Sequence, residues 1–592
     1  MGLVFKELDS DMKVRMATLG AGPVLAEPPR LTALGQIWGD IRVISCNRRG
    51  RTSPHPLTGE LHEWAVVVDG REIAWRSYAG PVRLDETDIA IACRKLLSIE
   101  LCDLLEVVLE QVEFASPNAG QSRLMVQSTT PFARSFETDL SAMVEGRPVS
   151  DLTTYVETRG LYLARSGDLV VGRTRPWRNA IAPKGIQRLT LGDTDHYYMS
   201  HALLRRAVDG GDRDPVMRRL IGFLRERPSA VVCPYDFEPE LQILVAWLAR
   251  ASGIGRIRVD ANDSRLGMWN GKRMLHPTVE SALCLSGQLA DQAGPDILEQ
   301  EHRASEAFQA LGTALPVVPG YTIPWQENHC DFTRDLVRAG TLLNERYGLS
   351  HACLKPSDGG NGGRIVPSIG LGDVRCLEEL ATNAWKLGGD QVLEAHVTYF
   401  ERHIGGEQVL TTPSAHVRSG ALLDGLTLQF MRGTSWKGNI FVGAADWGRL
   451  GLDSSVYAQL RKTMTDLHQR LGLLHCGVDF AVGTLGGKFG DTVVAAVQDI
   501  NPKVTGALFL REFMARYPAI GEGAATRVLI PEATACAEKI RSLISKFSTA
   551  EQPCEAIAVV PGRWAMIATS GETSVSAGAQ ALTLERMLAA SR

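Results

Sequence analysis

An alternation of helix-like and strand-like segments between residues 199 and 259 restricts the fold more than any other feature of this sequence. Helical spacing of apolar residues near 199–208 is followed by an apolar run at 230–233, a second helical pattern at 240–251 and a second apolar run at 256–259. Strands that alternate with helices usually pair in parallel, because each helix carries the chain back to the same edge of the sheet. The alternation therefore predicts a mostly parallel, doubly wound sheet.

The length of the chain implies several domains. Its 592 residues correspond to three or four domains at roughly 150 residues each. We predict an N-terminal α/β unit over residues 1–150, the doubly wound domain over 151–300, a third domain over 301–545 and a small C-terminal tail over 546–592. The expected fold class is therefore a multidomain α/β and α+β protein.

Local patterns predict three further elements. Asp69-Gly70 lies between two strand-like runs and is typical of a hairpin turn. The segment 161–171 predicts a strand, a turn and a second strand, and 578–590 predicts a closing helix.

The composition excludes several classes of protein. Lysine and arginine total 63 and aspartate and glutamate 67, which gives a net charge of −4, so no basic excess favours nucleic acid. No run of apolar residues is long enough for a signal peptide or a membrane span. The eleven cysteines include no Cys-x-x-Cys pair and indicate thiols in a reducing compartment. We therefore expect a soluble cytoplasmic protein that binds neither nucleic acid nor membrane.

A glycine-rich loop follows an apolar strand in residues 354–366. Lys355 ends the strand, and the loop contains Gly359, Gly360, Gly362 and Gly363. Glycine lets backbone amides approach phosphate oxygens closely, and a lysine adds a positive charge to the same site. The loop therefore predicts a phosphate site, although an ordinary glycine-rich hairpin has the same pattern.

A second strand, in residues 391–397, carries an acidic residue. Glu394 precedes His396 and Val397 on extended chain, and Glu401 follows seven residues after Glu394. An adenine pocket uses backbone groups on an extended segment for the base and carboxylates for the ribose. Such a pocket is one interpretation, and a strand followed by a polar loop is the other.

The strongest chemical signal lies in two strand-like runs, 477–482 and 493–501. Asp499 and Asn501 lie two residues apart, so one strand directs both side chains to one face. Pairing of the two runs brings Asp479 beside them. Three oxygen ligands on neighbouring strands suit Mg²⁺. The sequence therefore predicts a magnesium site here, with an acidic hairpin as the alternative.

The order and spacing of these features resemble the ATP-grasp superfamily over about residues 270–515. The resemblance implies an ATP-grasp fold preceded by a doubly wound pre-ATP-grasp domain, with residues 1–150 as an extra α/β unit. It also implies that Lys272 is a first ATP-binding lysine beside Lys355. The segment 429–439 is similar to peptide ligases of the pheganomycin type. Arg432 and Lys437 in this segment, together with Arg364 of the glycine loop, are candidates for binding the substrate carboxylate or the acyl phosphate. For Arg432 and Lys437 the alternative is that they are solvated charges beside a strand.

The resemblance implies a function in natural product biosynthesis. ATP and Mg²⁺ would activate an amino-acid or peptide carboxylate as an acyl phosphate, and an amine would then form an amide with release of ADP and phosphate. The partners would be small-molecule substrates, and self-association as a homodimer is compatible with the sequence. A small-molecule kinase and a non-catalytic ATP-binding module are the alternatives.

Overall fold

In the computed structural model, the chain folds into two compact units, Met1–Asp260 and Ala261–Arg592. The structure describes the following residues: 41–47, 62–68, 71–72, 86–128, 152–173, 185–192, 199–263, 271–275, 279, 317–357, 365–387, 389–432, 435–529, 537–560 and 564–590.

The first unit combines a small antiparallel sheet with a larger parallel one. Its described strands are β1 (Ile41–Asn47), β2 (His62–Val68), β3 (Arg71–Glu72), β4 (Val112–Phe114), β5 (Arg123–Val126), β6 (Leu169–Gly172), β7 (Gln187–Thr190), β8 (Val231–Pro234) and β9 (Ile257–Val259). Its described helices are α1 (Glu86–Ala92), α2 (Leu104–Gln111), α3 (Leu152–Leu163), α4 (Met199–Gly210), α5 (Pro215–Glu226) and α6 (Pro239–Ser252).

The parallel sheet has the order β4-β9-β8-β5-β6-β7. Each neighbouring pair is parallel. Strands β5, β6 and β7 follow in chain order on one side and β8 and β9 on the other, with β4 at the edge, so the predicted doubly wound sheet is confirmed. Its strands β4 and β5 come from before residue 151, where the doubly wound domain was predicted to begin. The predicted hairpin is also confirmed, because Val68 pairs with Arg71 across the turn.

One local prediction in the first unit is wrong. The segment 161–171 does not begin with a strand, because α3 continues to Leu163, and only β6 after the turn is extended. Residues 156–164 are all buried, and the last turn of the helix is a short apolar run. Periodicity cannot distinguish such a run in a buried helix from a buried strand.

Local capping explains where two helices of this unit begin and end. Asp214 Oδ1 accepts hydrogen bonds from the amides of Val216 at 2.8 Å and Met217 at 3.1 Å, and Pro215 occupies the first position of α5. Helix α6 likewise starts with a proline and ends at Gly253, whose φ of 73° is in the left-handed region.

The second unit is built on two larger sheets and a short hairpin. Its described strands are β10 (Gly320–Ile323), β11 (His351–Pro356), β12 (Val366–Gly370), β13 (Gln391–Ala395), β14 (Thr398–Tyr399), β15 (Glu401–Ile404), β16 (Glu407–Leu410), β17 (Pro413–Arg418), β18 (Ala421–Leu422), β19 (Leu426–Arg432), β20 (Ser435–Val442), β21 (Cys476–Thr484), β22 (Val494–Asn501), β23 (Ala524–Leu529), β24 (Cys554–Val560) and β25 (Trp564–Ser570). Its described helices are α7 (His329–Tyr347), α8 (Val374–Leu387), α9 (Ala444–Arg449), α10 (Ser454–Leu471), α11 (Ala507–Arg516), α12 (Ala537–Phe547) and α13 (Ser574–Ala590).

The smaller sheet has the order β10-β13-β11-β12, and α7 and α8 pack against it. The ten-stranded sheet follows the path β14-β21-β17-β19-β20-β23-β25-β24, with β18 paired to β17 and β22 paired to β21. Strands β15 and β16 form a separate hairpin. One apolar core packs on the ten-stranded sheet, and a second joins α7, α8 and the smaller sheet to Ala481, Val494 and Ala496 of β21 and β22.

The C-terminal segment extends the large sheet. Strand β25 pairs with β23, and α13 contributes Ala577, Ala581 and Leu582 to the core under the sheet. The predicted closing helix is confirmed and begins at Ser574. Whether the four predicted segments fold independently stays a prediction.

Two predictions from composition can be compared with the described part of the chain. None of its helices has the length and apolar character that a membrane span requires. Its cysteines, among them Cys353 and Cys476, are thiols and not disulfides.

Candidate active site: a carboxylate cluster beside a lysine

Strand pairing in the β21–β22 hairpin aligns the predicted magnesium ligands, and a β-bulge lies directly beside them. Asp479 pairs with Asp499, but the next residue of β21, Phe480, pairs with Val497, so Gln498 is an extra residue. A bulge reverses the alternation of side chains along its strand. Val497 and Ile500, although three residues apart on β22, therefore both face the large-sheet core, as does Phe480 opposite Val497. Asp479, Asp499 and Asn501 take the opposite face.

Three neighbouring side chains hold Asp479 in one orientation. Its Oδ1 accepts hydrogen bonds from Ser414 Oγ at 2.5 Å and Gln429 Nε2 at 2.7 Å, and its Oδ2 accepts one from Asn501 Nδ2 at 3.2 Å. Burial, reinforced by the charge of Asp499, raises the pKa of Asp479 to about 6, although the Ser414 hydrogen bond opposes the shift. The carboxylate is thus fixed but short of compensating positive charge.

Lys272 supplies part of that charge. Its Nζ lies 3.0 Å from Asp499 Oδ2, and its side chain is only 8% exposed. A short 3₁₀ turn at Lys272–Met274 places it there, because its backbone amide donates to the Ser357 carbonyl at 2.9 Å, just beyond β11. The lysine expected at the nucleotide phosphates is therefore paired with one of the predicted magnesium ligands.

Lys355 and Glu394 form a second, fully buried ion pair on β11 and β13. Burial alone would lower the pKa of Lys355, but attraction to Glu394 outweighs burial and raises it, so the ammonium is charged. Tyr399 lies close enough to contribute to that attraction, and its hydroxyl accepts a hydrogen bond from Gln498 Nε2 at 2.5 Å. The predicted phosphate lysine and the predicted ribose carboxylate are thus brought together.

The donor set of the hairpin fits a hard divalent cation. Two carboxylates and a carboxamide, with no sulfur or imidazole, lie on one face of two paired strands. Oxygen ligands are those that Mg²⁺ prefers. Among the residues that the structure describes, no group of three His, Cys, Asp or Glu side chains could hold a metal ion. The third protein ligand would therefore be the amide oxygen of Asn501.

The other predicted residues differ in burial and in contacts. His396 is half-buried, and burial followed by the neighbouring His351 lowers its pKa, while Val397 is buried. Glu401 lies exposed on β15, where it accepts a hydrogen bond from Gln408. Lys437 is partly buried on β20. Six of the predicted residues, or their side chains, lie outside the described residues: Gly359, Gly360, Gly362, Gly363 and Arg364 entirely, and Arg432 in its side chain.

Several supporting residues carry no signal in the sequence. Ser414 and Gln429, which orient Asp479, come from β17 and β19 and lie 65 and 50 positions before it in the chain. His416 is buried, and its ring lies between Thr427 Oγ1 at 2.9 Å from Nε2 and Thr505 Oγ1 at 3.2 Å from Nδ1. Only strand pairing reveals these contacts.

Gly477 explains how the segment after β22 comes so near to the sheet. It pairs with Asn501, and a Cβ atom at this position would lie 2.4 Å from Thr505 Cγ2. Any side chain here would displace Thr505 from His416.

The buried imidazole predicts a specific dependence of stability on pH. Burial, with a smaller effect of Arg511, lowers the pKa of His416 to about 3. An unfolded histidine titrates near pH 6.5, so between about pH 6.5 and 3 the unfolded chain binds one more proton at this residue. The free energy of unfolding should therefore fall on acidification, by up to about 1.4 kcal/mol per pH unit from His416.

Urea unfolding of the wild type and of His416→Gln from pH 7.5 to 4.5 measures this effect. The variant should lose stability less steeply on acidification, whatever its stability at pH 7.5. Parallel profiles for the two proteins would show that His416 is not a buried neutral base.

The chain is similar in structure to several solved proteins but not in sequence to any curated one. No family model matches the chain, and no curated protein sequence matches it. An ADP complex of N5-carboxyaminoimidazole ribonucleotide synthetase is similar to the chain with a TM-score of 0.43 and 11% identity, over 81% of this chain and 98% of that one. An L-amino acid ligase from Bacillus licheniformis is similar with a TM-score of 0.39 and 11% identity, over 80% and 98%.

A third solved structure carries the superfamily name. It is an ATP-grasp superfamily protein from Archaeoglobus fulgidus, similar with a TM-score of 0.32 and 10% identity, over 76% of this chain and 100% of that one. Because the TM-scores of these three structures are below 0.5, the structures assign no role to any residue of this chain.

Proposed function

We propose that this chain is an ATP-grasp ligase that joins a carboxylate to an amine through an acyl phosphate. The observation that carries the proposal is the face of the β21–β22 hairpin, where two carboxylates and an amide lie beside a lysine. A buried lysine–glutamate pair on the smaller sheet belongs to the same unit. Oxygen ligands and lysines are the groups that phosphoryl transfer requires.

Each residue has a distinct role in this proposal. Asp479, Asp499 and Asn501 would hold Mg²⁺, which neutralises charge on the phosphates when it is bound. Lys272 would exchange Asp499 for a phosphate oxygen once nucleotide enters. Lys355 would bind a second phosphate oxygen, and Glu394 would orient the ammonium group of Lys355. Such fixed charges need no rearrangement during the reaction, which is why they stabilise its transition state.

The chemistry of the site favours direct attack by the substrate carboxylate over a covalent enzyme intermediate. Cys476 is the thiol one residue before Gly477 in the hairpin, but burial, with the charges of Asp479 and Asp499, raises its pKa well above the usual range. A thiol must ionise to act as a nucleophile. Cys476 is therefore unsuited to this role.

The substrates are proposed as an amino acid or a short peptide on each side of the new bond. Lys437 on β20 and Arg432 on β19 belong to neighbouring strands of the large sheet, on which β17 and β21 also lie. With Arg364 of the glycine-rich loop, they would supply positive charge for a carboxylate or an acyl phosphate. The glycines of that loop would let backbone amides bind the phosphates, and the backbone of the segment 394–397, with Glu401, would receive the adenosine.

Isotope labelling of the acid tests the proposed reaction. Amino-acid and short-peptide pairs are first screened for ADP release, and the active acid is then labelled with heavy oxygen in its carboxylate. Inorganic phosphate should acquire one heavy oxygen per amide formed, because one carboxylate oxygen becomes a phosphate oxygen.

Other outcomes identify other activities. Label in AMP with release of pyrophosphate would indicate adenylation of the acid. Unlabelled phosphate during amide formation would exclude an acyl phosphate, and ADP release with a phosphorylated product and no amide would indicate a kinase. Nucleotide binding without any turnover across the screen would favour a non-catalytic module.

A further inference from the structure

A single asparagine side chain ties together the beginning of β21 and the end of β22. Asn262 Nδ2 donates hydrogen bonds to the carbonyl oxygens of His475 at 2.7 Å and Pro502 at 2.5 Å. Its Oδ1 accepts hydrogen bonds from the amides of Leu474 at 2.7 Å and His475 at 3.0 Å. The carboxamide thus makes four hydrogen bonds to the backbone of two segments that flank the hairpin.

The orientation of this carboxamide is fixed by its partners. A backbone amide can only donate and a backbone carbonyl can only accept, so exchanging the oxygen and nitrogen of Asn262 would break all four bonds. Among the amino acids of this size, only asparagine carries a carboxamide, with two N–H donors and a carbonyl oxygen that accepts. The substitution Asn262→Asp would keep only the two accepted bonds and would set a negative charge against two carbonyl oxygens.

The segment held by Asn262 begins directly after a proposed metal ligand. Pro502 follows Asn501, and the other end of the same segment is fixed by the hydrogen bond between Thr505 Oγ1 and His416 Nδ1. Between them, the Lys503 amide donates to the Asn501 carbonyl at 2.8 Å and closes a tight turn. Both ends of the turn that follows β22 are therefore held by side chains from other parts of the second unit.

We infer that Asn262 is a positioning residue for the proposed metal site. By fixing the Pro502 carbonyl against the start of β21, it sets the backbone of Asn501 opposite Gly477, so that the Asn501 side chain reaches Asp479. The hydrogen bond at the other end of the turn acts on the same segment. Outer residues that orient a ligand typically change metal affinity by about 10- to 100-fold when they are replaced. The inference rests on the proposed function, because it assigns a role toward the proposed Mg²⁺.

The test measures how much Mg²⁺ the protein needs to bind nucleotide. Calorimetric titration with a non-hydrolysable ATP analogue is carried out in EDTA and over a series of Mg²⁺ concentrations. Asn262→Asp should need about tenfold more Mg²⁺ for half-maximal tightening of nucleotide binding. Its affinity for the analogue in EDTA should stay within about twofold of the wild type, since the lysines proposed to contact phosphate are unchanged.

A second variant covers the case in which Asn262→Asp does not fold. Thr505→Val keeps the shape of the side chain but removes its hydrogen bond to His416, and it should raise the Mg²⁺ requirement about threefold. Asn344→Asp is the matched control, because Asn344 Nδ2 also donates to a backbone carbonyl, that of Leu349 at 2.8 Å, at the end of α7. Its Mg²⁺ requirement should equal that of the wild type.

The outcomes separate the inference from the proposed function. A wild-type protein whose nucleotide affinity is independent of Mg²⁺ would reject the proposed function and the metal site with it. A Mg²⁺-dependent wild type with unchanged Mg²⁺ requirements in the folded variants would reject the positioning role alone. An equal loss of affinity with and without Mg²⁺ would also reject it, since a general structural defect acts in both conditions.

Discussion

Replacing Asp499 with asparagine should reduce ADP formation by at least about a hundredfold. Asp499 is the carboxylate nearest to Lys272 and the direct partner of Asp479 across the hairpin. The substitution takes an ion-pair partner from Lys272, which is only 8% exposed, but it also removes the repulsion between Asp499 and Asp479, so the net loss of stability should be small. Steady-state ADP release with a substrate pair found in the screen, together with a thermal unfolding curve, measures both effects.

The control for this variant removes a carboxylate that takes no part in the site. Asp331 lies in the first turn of α7 and pairs with Arg334 at 2.8 Å, where both side chains reach solvent. Asp331→Asn should keep wild-type turnover. If Asp499→Asn also kept near wild-type turnover in Mg²⁺, the metal site would have been assigned to the wrong residues.

Replacing Lys355 with methionine should lower the free energy of unfolding by about 3–5 kcal/mol. Lys355 and Glu394 are 7% and 3% exposed in their side chains, so the substitution leaves a buried carboxylate without its partner. An uncompensated buried charge is far more costly than a missing surface pair. Urea unfolding monitored by tryptophan fluorescence measures the loss.

A double variant separates stability from nucleotide binding. Lys355→Met combined with Glu394→Leu replaces the ion pair by apolar side chains of similar size and should recover most of the lost stability. It should not recover affinity for the ATP analogue, because the proposed phosphate contact is still missing. A double variant that binds nucleotide like the wild type would show that the pair is structural and that ATP binds elsewhere.

The outline of the fold could be predicted because it depends on local patterns. Helix α6 and strands β8 and β9 follow from the spacing of apolar residues. The helix is capped by Gly253, because the left-handed backbone at this position favours glycine. The pairing of Asp479 with Asp499 follows from two adjacent strands joined by a short glycine-rich turn. Where burial was complete, as at the end of α3, the same patterns failed because a short apolar run has no period.

The sequence by itself determined which groups are available for chemistry. They are the oxygen ligands Asp499 and Asn501, two residues apart on a strand, and the lysines Lys272 and Lys355. Only the tertiary structure decided which of them meet. Lys272 reaches Asp499 across more than two hundred residues, and Ser414, Gln429 and Asn262 hold the hairpin from distant segments. The Ser414 and Gln429 contacts depend on the strand order of the large sheet, which no local pattern encodes, because pairing between distant strands is decided by the packing of the whole sheet.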